Sequence, residues 1–85
     1  MFSVVVKKAA LKEIKKETKE TKRRIFKSLE KLENPFSVPY EKLRGEENVY
    51  RIRVGDFRVI YYVDKDKNEA VVFRIRRRGR AYEGL

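Results

Sequence analysis

Arginine alternates with apolar residues along the second half of the chain. The arginines concerned are Arg51, Arg53, Arg58, Arg74 and Arg76. If these segments are β-strands, residues two apart share a face, so the five side chains lie on one side of a sheet. Each guanidinium group offers a fork of hydrogen-bond donors that matches phosphate or carboxylate. The pattern therefore predicts a surface that binds an anion.

Other kinds of site are excluded by the residues that are missing. The 85 residues contain neither Cys nor His, which excludes disulfide scaffolds, thiol nucleophiles, Ser-His-Asp triads and acid–base chemistry by histidine. No glycine-rich phosphate loop is present. The segment 64–68 starts like a calcium-binding loop, but Glu69 replaces the glycine that such a loop requires. The acidic residues are scattered, so we expect no metal and no cofactor.

The charge of the chain indicates a polyanionic or acidic partner. Lys and Arg number 23 against 13 Asp and Glu, which gives a net charge of +10. Nine of the eleven basic residues in 1–34 are Lys, whereas nine of the twelve in 35–85 are Arg. A face that served only solubility would not separate the two types. The longest apolar run near the start, Val4–Val6, is too short to span a membrane, so we expect a cytoplasmic protein.

The first half of the chain reads as one strand followed by helix. Phe2–Val6 is a candidate edge strand. Apolar residues at spacings of three and four then predict two amphipathic helices, Ala9–Lys19 and Thr21–Glu33, with Thr21 as a possible N-cap. A single long helix is the alternative. Two prolines follow and open a loop that runs to about Asn48.

The second half predicts three consecutive antiparallel strands, namely Tyr50–Val54, Phe57–Val63 and Glu69–Arg76. Gly55-Asp56 between the first two is typical of a type II′ hairpin turn. Alternation divides the side chains between two faces. The apolar face contains Tyr50, Ile52, Val54, Phe57, Val59, Tyr61, Val63, Val71, Phe73 and Ile75. The other face contains Arg51, Arg53, Arg58, Ile60, Tyr62, Val72, Arg74 and Arg76. The helices are expected to cover the apolar face.

The expected register brings like charges together on the second face. The tight turn places Arg53 opposite Arg58, and a symmetric loop at 64–68 would place Arg58 opposite Arg74. Directly opposed like charges cost up to about 1 kcal/mol per pair. A phosphate or carboxylate between the guanidinium groups would remove that cost. The alternative is a solvated face on which the arginines spread into water.

One family shares these motifs. Lys42-Leu43-Arg44-Gly45, the stretch 50–61 that contains Val54-Gly55-Asp56-Phe57-Arg58, and the terminal Arg78-Gly79-Arg80-Ala81-Tyr82 resemble the RelE/ParE toxin superfamily of toxin–antitoxin systems, especially archaeal RelE. The resemblance spans nearly the whole chain, taken as one domain, 1–85. It implies an α+β fold with a four-stranded, largely antiparallel sheet, an N-terminal strand and two helices packed on one face.

The resemblance also implies a function. RelE-type toxins are ribosome-dependent endoribonucleases that cut mRNA in the A site without metal, by attack of the 2′-hydroxyl on the adjacent phosphate. The matching catalytic positions are Arg51, Arg53, Arg58, Arg80 and Tyr82. Further RNA contacts are expected from Arg44, Arg74, Arg76, Arg77 and Arg78. The implied partners are the ribosome, mRNA and an acidic RelB-like antitoxin.

The chain departs from the bacterial pattern at two points. Arginine stands where well-known bacterial members have a lysine pair, and arginine effectively cannot give up its proton, so we expect weak activity. Glu46, Glu47 and Tyr82 are the candidates for the general base. The short spacing to Tyr82 leaves Arg78 as an alternative to Arg80. A ParE-like gyrase inhibitor and an RNA-binding module without catalysis remain alternative functions.

Overall fold

A computed structural model describes residues 1–77 of the 85-residue chain. Its strands are β1 (Ser3–Val6), β2 (Glu41–Lys42), β3 (Val49–Val54), β4 (Phe57–Asp64) and β5 (Glu69–Arg77). Its helices are α1 (Lys8–Glu13) and α2 (Lys19–Glu30), and α2 continues into a 3-10 turn at Lys31–Glu33. None of the helices in this part of the chain is long and apolar enough to cross a bilayer.

The strands form one mixed sheet in the order β1-β5-β4-β3-β2. β1 runs parallel to β5, and every other neighbouring pair is antiparallel. The predicted α+β class is confirmed, but residues 1–77 form five strands, because Glu41 and Lys42 pair with Arg51 and Tyr50 inside the predicted loop. A two-residue strand shows no periodicity, so the sequence pattern could not reveal it.

The helices are shorter than predicted and their connection differs. α1 ends at Glu13 and α2 begins at Lys19. Thr18, not Thr21, is the N-cap, because the Thr18 Oγ1 accepts a hydrogen bond of 3.1 Å from the backbone N–H of Thr21. This cap starts a new helix and excludes the single long helix.

The β3–β4 hairpin has the predicted register. Val54 pairs with Phe57 across the two-residue turn, and Gly55 has a φ of +57°. That left-handed conformation is the one that a type II′ turn requires at its first central position. A Cβ at Gly55 would also lie 3.2 Å from Arg24 Nη2. Substitution at Gly55 would therefore disturb both the turn and a neighbouring side chain.

The β4–β5 register differs from the prediction because Phe73 forms a bulge. Tyr61 pairs with Val72, whereas Ile60 pairs with Arg74, so one extra residue of β5 stands between these two pairs. The bulge changes the parity of the strand. Val72 pairs with Tyr61 and belongs to the core cluster, while Val71 pairs with Tyr62 on the opposite face, where it is also buried. Phe73 packs against Tyr62 on that opposite face, so the predicted faces of all three residues were wrong.

The core lies between the helices and one face of the sheet. It contains Ala10, Ile14, Ile25, Leu29, Leu32, Tyr50, Ile52, Val54, Phe57, Val59, Tyr61, Val63, Ala70, Val72 and Ile75. Tyr61 is the largest fully buried side chain, and its hydroxyl donates a 3.2 Å hydrogen bond to the carbonyl oxygen of Pro35. This bond fixes the start of the 35–40 segment against the sheet.

Replacing Tyr61 by phenylalanine should lower the free energy of unfolding by about 1 to 2 kcal/mol at pH 7, since the buried carbonyl of Pro35 loses its donor. Burial, together with the nearby Tyr40 and Tyr50, raises the pKa of Tyr61 to about 12. The neutral phenol is therefore favoured in the fold, and its contribution is lost as the pH rises from about 10 through 12.

The measurement is urea unfolding of both proteins between pH 7 and pH 11. The stability difference between wild type and Tyr61→Phe should shrink as the pH approaches the upper limit. A difference that stays constant over that range would show that Tyr61 does not titrate as the burial implies.

Candidate functional site

Five arginines lie on the sheet face that the helices leave uncovered. We call them the arginine surface, and they are Arg51, Arg53, Arg58, Arg74 and Arg76. Arg58 is directly opposite both Arg53 and Arg76, which makes a row of three across β3, β4 and β5. The predicted third member, Arg74, is instead opposite Ile60, because the bulge at Phe73 moves the register by one residue.

Arg58 is buried, with only 4 % of its surface exposed. Among residues 1–77 no other charged side chain is buried to this degree. It belongs to the face opposite the helices, since its neighbours Phe57 and Val59 point into the core. Arginine keeps its charge when buried. The centre of the sheet therefore carries a fixed positive charge in surroundings that screen it less than water does.

The arginines on β3 contact an acid that the sequence analysis did not single out. Arg51 Nη2 donates a hydrogen bond of 2.9 Å to Glu41 Oε2, and Arg53 Nε lies 3.6 Å from Glu41 Oε1. The hydrogen bond from Arg51 and its positive charge, with smaller effects of Arg53 and Arg58, lower the pKa of Glu41. β2 places Glu41 there by pairing it with Arg51.

A second acid contacts the opposite end of the row. Arg76 Nε lies 3.2 Å from Glu13 Oε2, and the other oxygen of Glu13 accepts a 3.1 Å hydrogen bond from the backbone N–H of Ile75. β1 pairs with β5 only as far as Val72. Beyond that residue, the Glu13 carboxylate accepts the hydrogen bond from the edge of β5 that a neighbouring strand would otherwise accept. The two outer arginines of the row, Arg53 and Arg76, thus contact carboxylates at opposite edges of the sheet.

The other predicted site residues are placed differently. Arg77 is directed toward the helices, where its guanidinium carbon lies 4.9 Å from the centre of the Phe57 ring and its Nη2 lies 2.8 Å from Glu17 Oε1. Arg44 is exposed in the turn after β2. Arg78, Arg80 and Tyr82 lie outside the described residues.

Aromatic rings flank the arginine surface. Tyr62 and Phe73, both half-buried, have ring centres 5.8 Å apart on neighbouring strands. On the side of β2, the exposed Tyr40 packs edge-to-face on Tyr50 at 5.3 Å. Tyr40 also lines a cavity of about 300 Å³ together with Lys31, Glu41, Arg51 and Arg53. Rings beside cations are the groups on which nucleic-acid bases stack.

A separate apolar groove lies between the two helices, on the other side of the molecule. Its apolar floor is formed by Leu11, Ile14 and Phe26, and four lysines surround it, Lys8, Lys12, Lys15 and Lys22. Leu11 is 39 % exposed and Phe26 is 41 % exposed. We call this region the helical groove.

Within residues 1–77, no group of three or more acidic residues is close enough to hold a metal ion. The chemistry that the described residues offer is electrostatic. A row of fixed cations can bind a chain of phosphates, and adjacent rings can hold bases.

Comparison with known proteins identifies the family. The family model described as the ParE toxin of type II toxin–antitoxin systems matches residues 4–82. A protein of Methanocaldococcus jannaschii named as the toxin RelE1 is 35 % identical over 96 % of each chain. The chain belongs to the RelE/ParE superfamily of type II toxins. The resemblance carried by the 42–61 stretch and the terminal motif is thereby confirmed.

Solved RelE structures have the same fold. The RelE of the RelB–RelE antitoxin–toxin complex from Methanococcus jannaschii superposes with a TM-score of 0.76 at 25 % identity, covering 95 % of this chain and 98 % of that one. The archaeal RelE–RelB complex from Pyrococcus horikoshii gives 0.71 at 27 % identity over 93 % and 97 %. The isolated E. coli RelE toxin gives 0.77 at 23 % identity over 99 % and 94 %, a likeness in fold.

Proposed function

We propose that this RelE/ParE-family protein is an mRNA interferase that acts in the cytoplasm on translating ribosomes. The observation that carries the proposal is the row formed by Arg53, Arg58 and Arg76 on the uncovered face of the sheet. A sequence selected for stability alone would not place like charges directly opposite each other on two neighbouring strand pairs. A phosphodiester chain laid across the row relieves that repulsion.

In the proposed reaction the 2′-hydroxyl of one nucleotide attacks the adjacent phosphorus. A 2′-oxygen–phosphorus bond forms, the bond to the 5′-oxygen of the next nucleotide breaks, and the products are a 2′,3′-cyclic phosphate and a 5′-hydroxyl. Arg58 would stabilise the negative charge that grows on the phosphoryl oxygens, while Arg51 and Arg53 bind the flanking backbone. The proton has to leave the 2′-hydroxyl and another has to reach the 5′-oxygen. Groups other than these arginines carry out both transfers, because guanidinium does not give up its proton. Arg80 and Tyr82 remain proposed members of the site.

The test is cleavage of a defined mRNA on purified ribosomes, with the cut positions mapped by primer extension. We expect cuts confined to the codon in the A site and independent of added chelator. Binding to programmed ribosomes without any cut would instead support a non-catalytic RNA-binding module.

We also propose that an acidic antitoxin neutralises the protein, by docking an amphipathic helix in the helical groove. The complexes of RelE with RelB from two archaea supply the class of partner. The groove supplies the chemistry, because the apolar Leu11 and Phe26 match the apolar side of such a helix and the surrounding lysines match its acidic side.

Replacing Phe26 by glutamate should weaken antitoxin binding at least about 30-fold, since it removes an apolar anchor and repels an acidic partner. Phe36→Glu is the matched control, because Phe36 is 44 % exposed and packs against Tyr40 and Tyr50, not in the helical groove. Calorimetry with an acidic RelB-type antitoxin gives both affinities. Equal losses in the two variants would contradict docking in the groove.

Inhibition of DNA gyrase is a second candidate function, favoured by the match to a family model described as the ParE toxin. A supercoiling assay separates the two. Inhibited supercoiling without mRNA cuts would replace the interferase proposal, whereas mRNA cuts with normal supercoiling would support it.

A further inference from the structure

The carboxylate of Glu41 occupies part of the arginine surface. It accepts a 2.9 Å hydrogen bond from Arg51 and lies 3.6 Å from Arg53 Nε. Carboxylate and phosphate use the same donors of a guanidinium fork. An RNA phosphate that binds Arg51 and Arg53 at these nitrogens therefore has to replace Glu41.

The placement of Glu41 suits an anion that can be displaced. Its side chain is 50 % exposed, and Arg53 is 51 % exposed, so water can solvate both groups once they separate. β2 contains only two residues and lies at the edge of the sheet, so the loss of its pairing disturbs no other strand. The opposite carboxylate, Glu13, differs because it also binds the backbone N–H of Ile75 and closes the edge of β5.

The charge of Glu41 also suits this role better than a role as general base. Its pKa lies below the usual value because Arg51 donates to the charged form. The group is therefore ionised at neutral pH and has little tendency to accept a proton.

We propose that Glu41 is a resident anion that holds Arg51 and Arg53 until RNA phosphate displaces it, and that it thereby sets the selectivity of the surface. Single phosphates compete poorly against a tethered carboxylate, whereas a nucleic-acid strand that also contacts Arg58 and Arg76 replaces it. Glu41 thereby keeps the free protein from binding isolated small anions such as inorganic phosphate at Arg51 and Arg53. The part of this inference that concerns RNA depends on the proposed function, and the part that concerns inorganic phosphate does not.

The test compares the full-length wild type with Glu41→Gln and, as a control, Glu46→Gln. Both substitutions remove one negative charge, but the exposed Glu46 makes no side-chain contact with the arginines in the part of the chain that the structure describes. Glutamine keeps an acceptor oxygen at position 41, so β2 should remain paired. The probe is inorganic phosphate, followed through the Nε–H resonances of Arg51 and Arg53 by NMR.

We expect Glu41→Gln to bind phosphate at these arginines roughly three- to tenfold more tightly at low salt, with the gain shrinking in high salt, and Glu46→Gln to behave as wild type. Equal gains in the two variants, or no gain in Glu41→Gln, would overturn the inference.

A second titration with a non-cleavable 2′-deoxy oligonucleotide separates this inference from the proposed function. If Glu41→Gln gains affinity for phosphate but no variant binds the oligonucleotide or cuts mRNA, the interferase proposal fails and the role of Glu41 stands. If mRNA is cut and Glu41→Gln matches wild type in both titrations, the role of Glu41 fails alone.

Discussion

Arg58→Ala is expected to lower the rate of mRNA cleavage on programmed ribosomes by at least about 100-fold, the loss seen when one group that stabilises transition-state charge is removed. Arg58 is the central member of the row and is 4 % exposed, so its charge acts where water screens it least. Its neighbours in the row, Arg53 and Arg76, contact Glu41 and Glu13 at the two edges of the sheet.

The fold should survive this substitution. Arg58→Ala removes a positive charge from between Arg53 and Arg76, but it also removes a side chain that is packed, with only 4 % of its surface exposed. Circular dichroism and urea unfolding measure the resulting change in the free energy of unfolding, and the cleavage rates are compared at a temperature at which both proteins are folded.

Two control variants distinguish the role of Arg58 from a general loss of charge. Arg58→Lys keeps the charge without the fork and should recover part of the activity. Arg74→Ala removes an exposed arginine opposite Ile60 and should lose far less. Full activity in Arg58→Ala, or an equal loss in Arg74→Ala, would remove Arg58 from the mechanism.

Ile25→Ala is expected to lower the free energy of unfolding by about 2 to 5 kcal/mol, the range for truncating a buried aliphatic side chain. Ile25 on α2 is fully buried between the helix and the sheet. Small domains have a free energy of unfolding of only about 5 to 15 kcal/mol. The substitution would therefore remove a large share of the stability of the protein.

The adjacent residue of α2 provides the control. Phe26 is 41 % exposed, so Phe26→Ala removes a larger side chain but should change stability by less than about 1 kcal/mol. Urea unfolding of both variants gives the two values. Similar losses of stability in the two variants would contradict the packing of α2 on the sheet through Ile25.

The β-hairpin could be predicted from the sequence because its determinants are local. Alternation from Tyr50 to Val54 and the glycine at the first turn position define both the strands and their register, and the structure has that register. The β4–β5 register could not be predicted in the same way. A single extra residue at Phe73 reverses the parity of the strand, and nothing in the alternating pattern of β5 marks that position.

In the candidate site, too, the residues placed by local alternation could be predicted and those placed by distant contacts could not. Parity placed Arg51, Arg53 and Arg58 on one face, because residues two apart in a strand share a side whatever the rest of the fold does. The two acids that contact the arginine surface were not found, since Glu41 lies on a two-residue strand and Glu13 ends a short helix. Both acids reach the arginines through contacts between segments that are distant in the sequence, and the spacing of residues does not predict such contacts.

The central claim is that RNA binds the arginine surface on the side of the sheet away from the helices. It is tested most directly by adding a non-cleavable single-stranded RNA and following the Nε–H resonances of all arginines by NMR. Shifts at Arg51, Arg53, Arg58 and Arg76, with little change at Arg23 and Arg24 on α2, are predicted. Shifts confined to Arg23 and Arg24 would place the RNA on the helices and contradict the account.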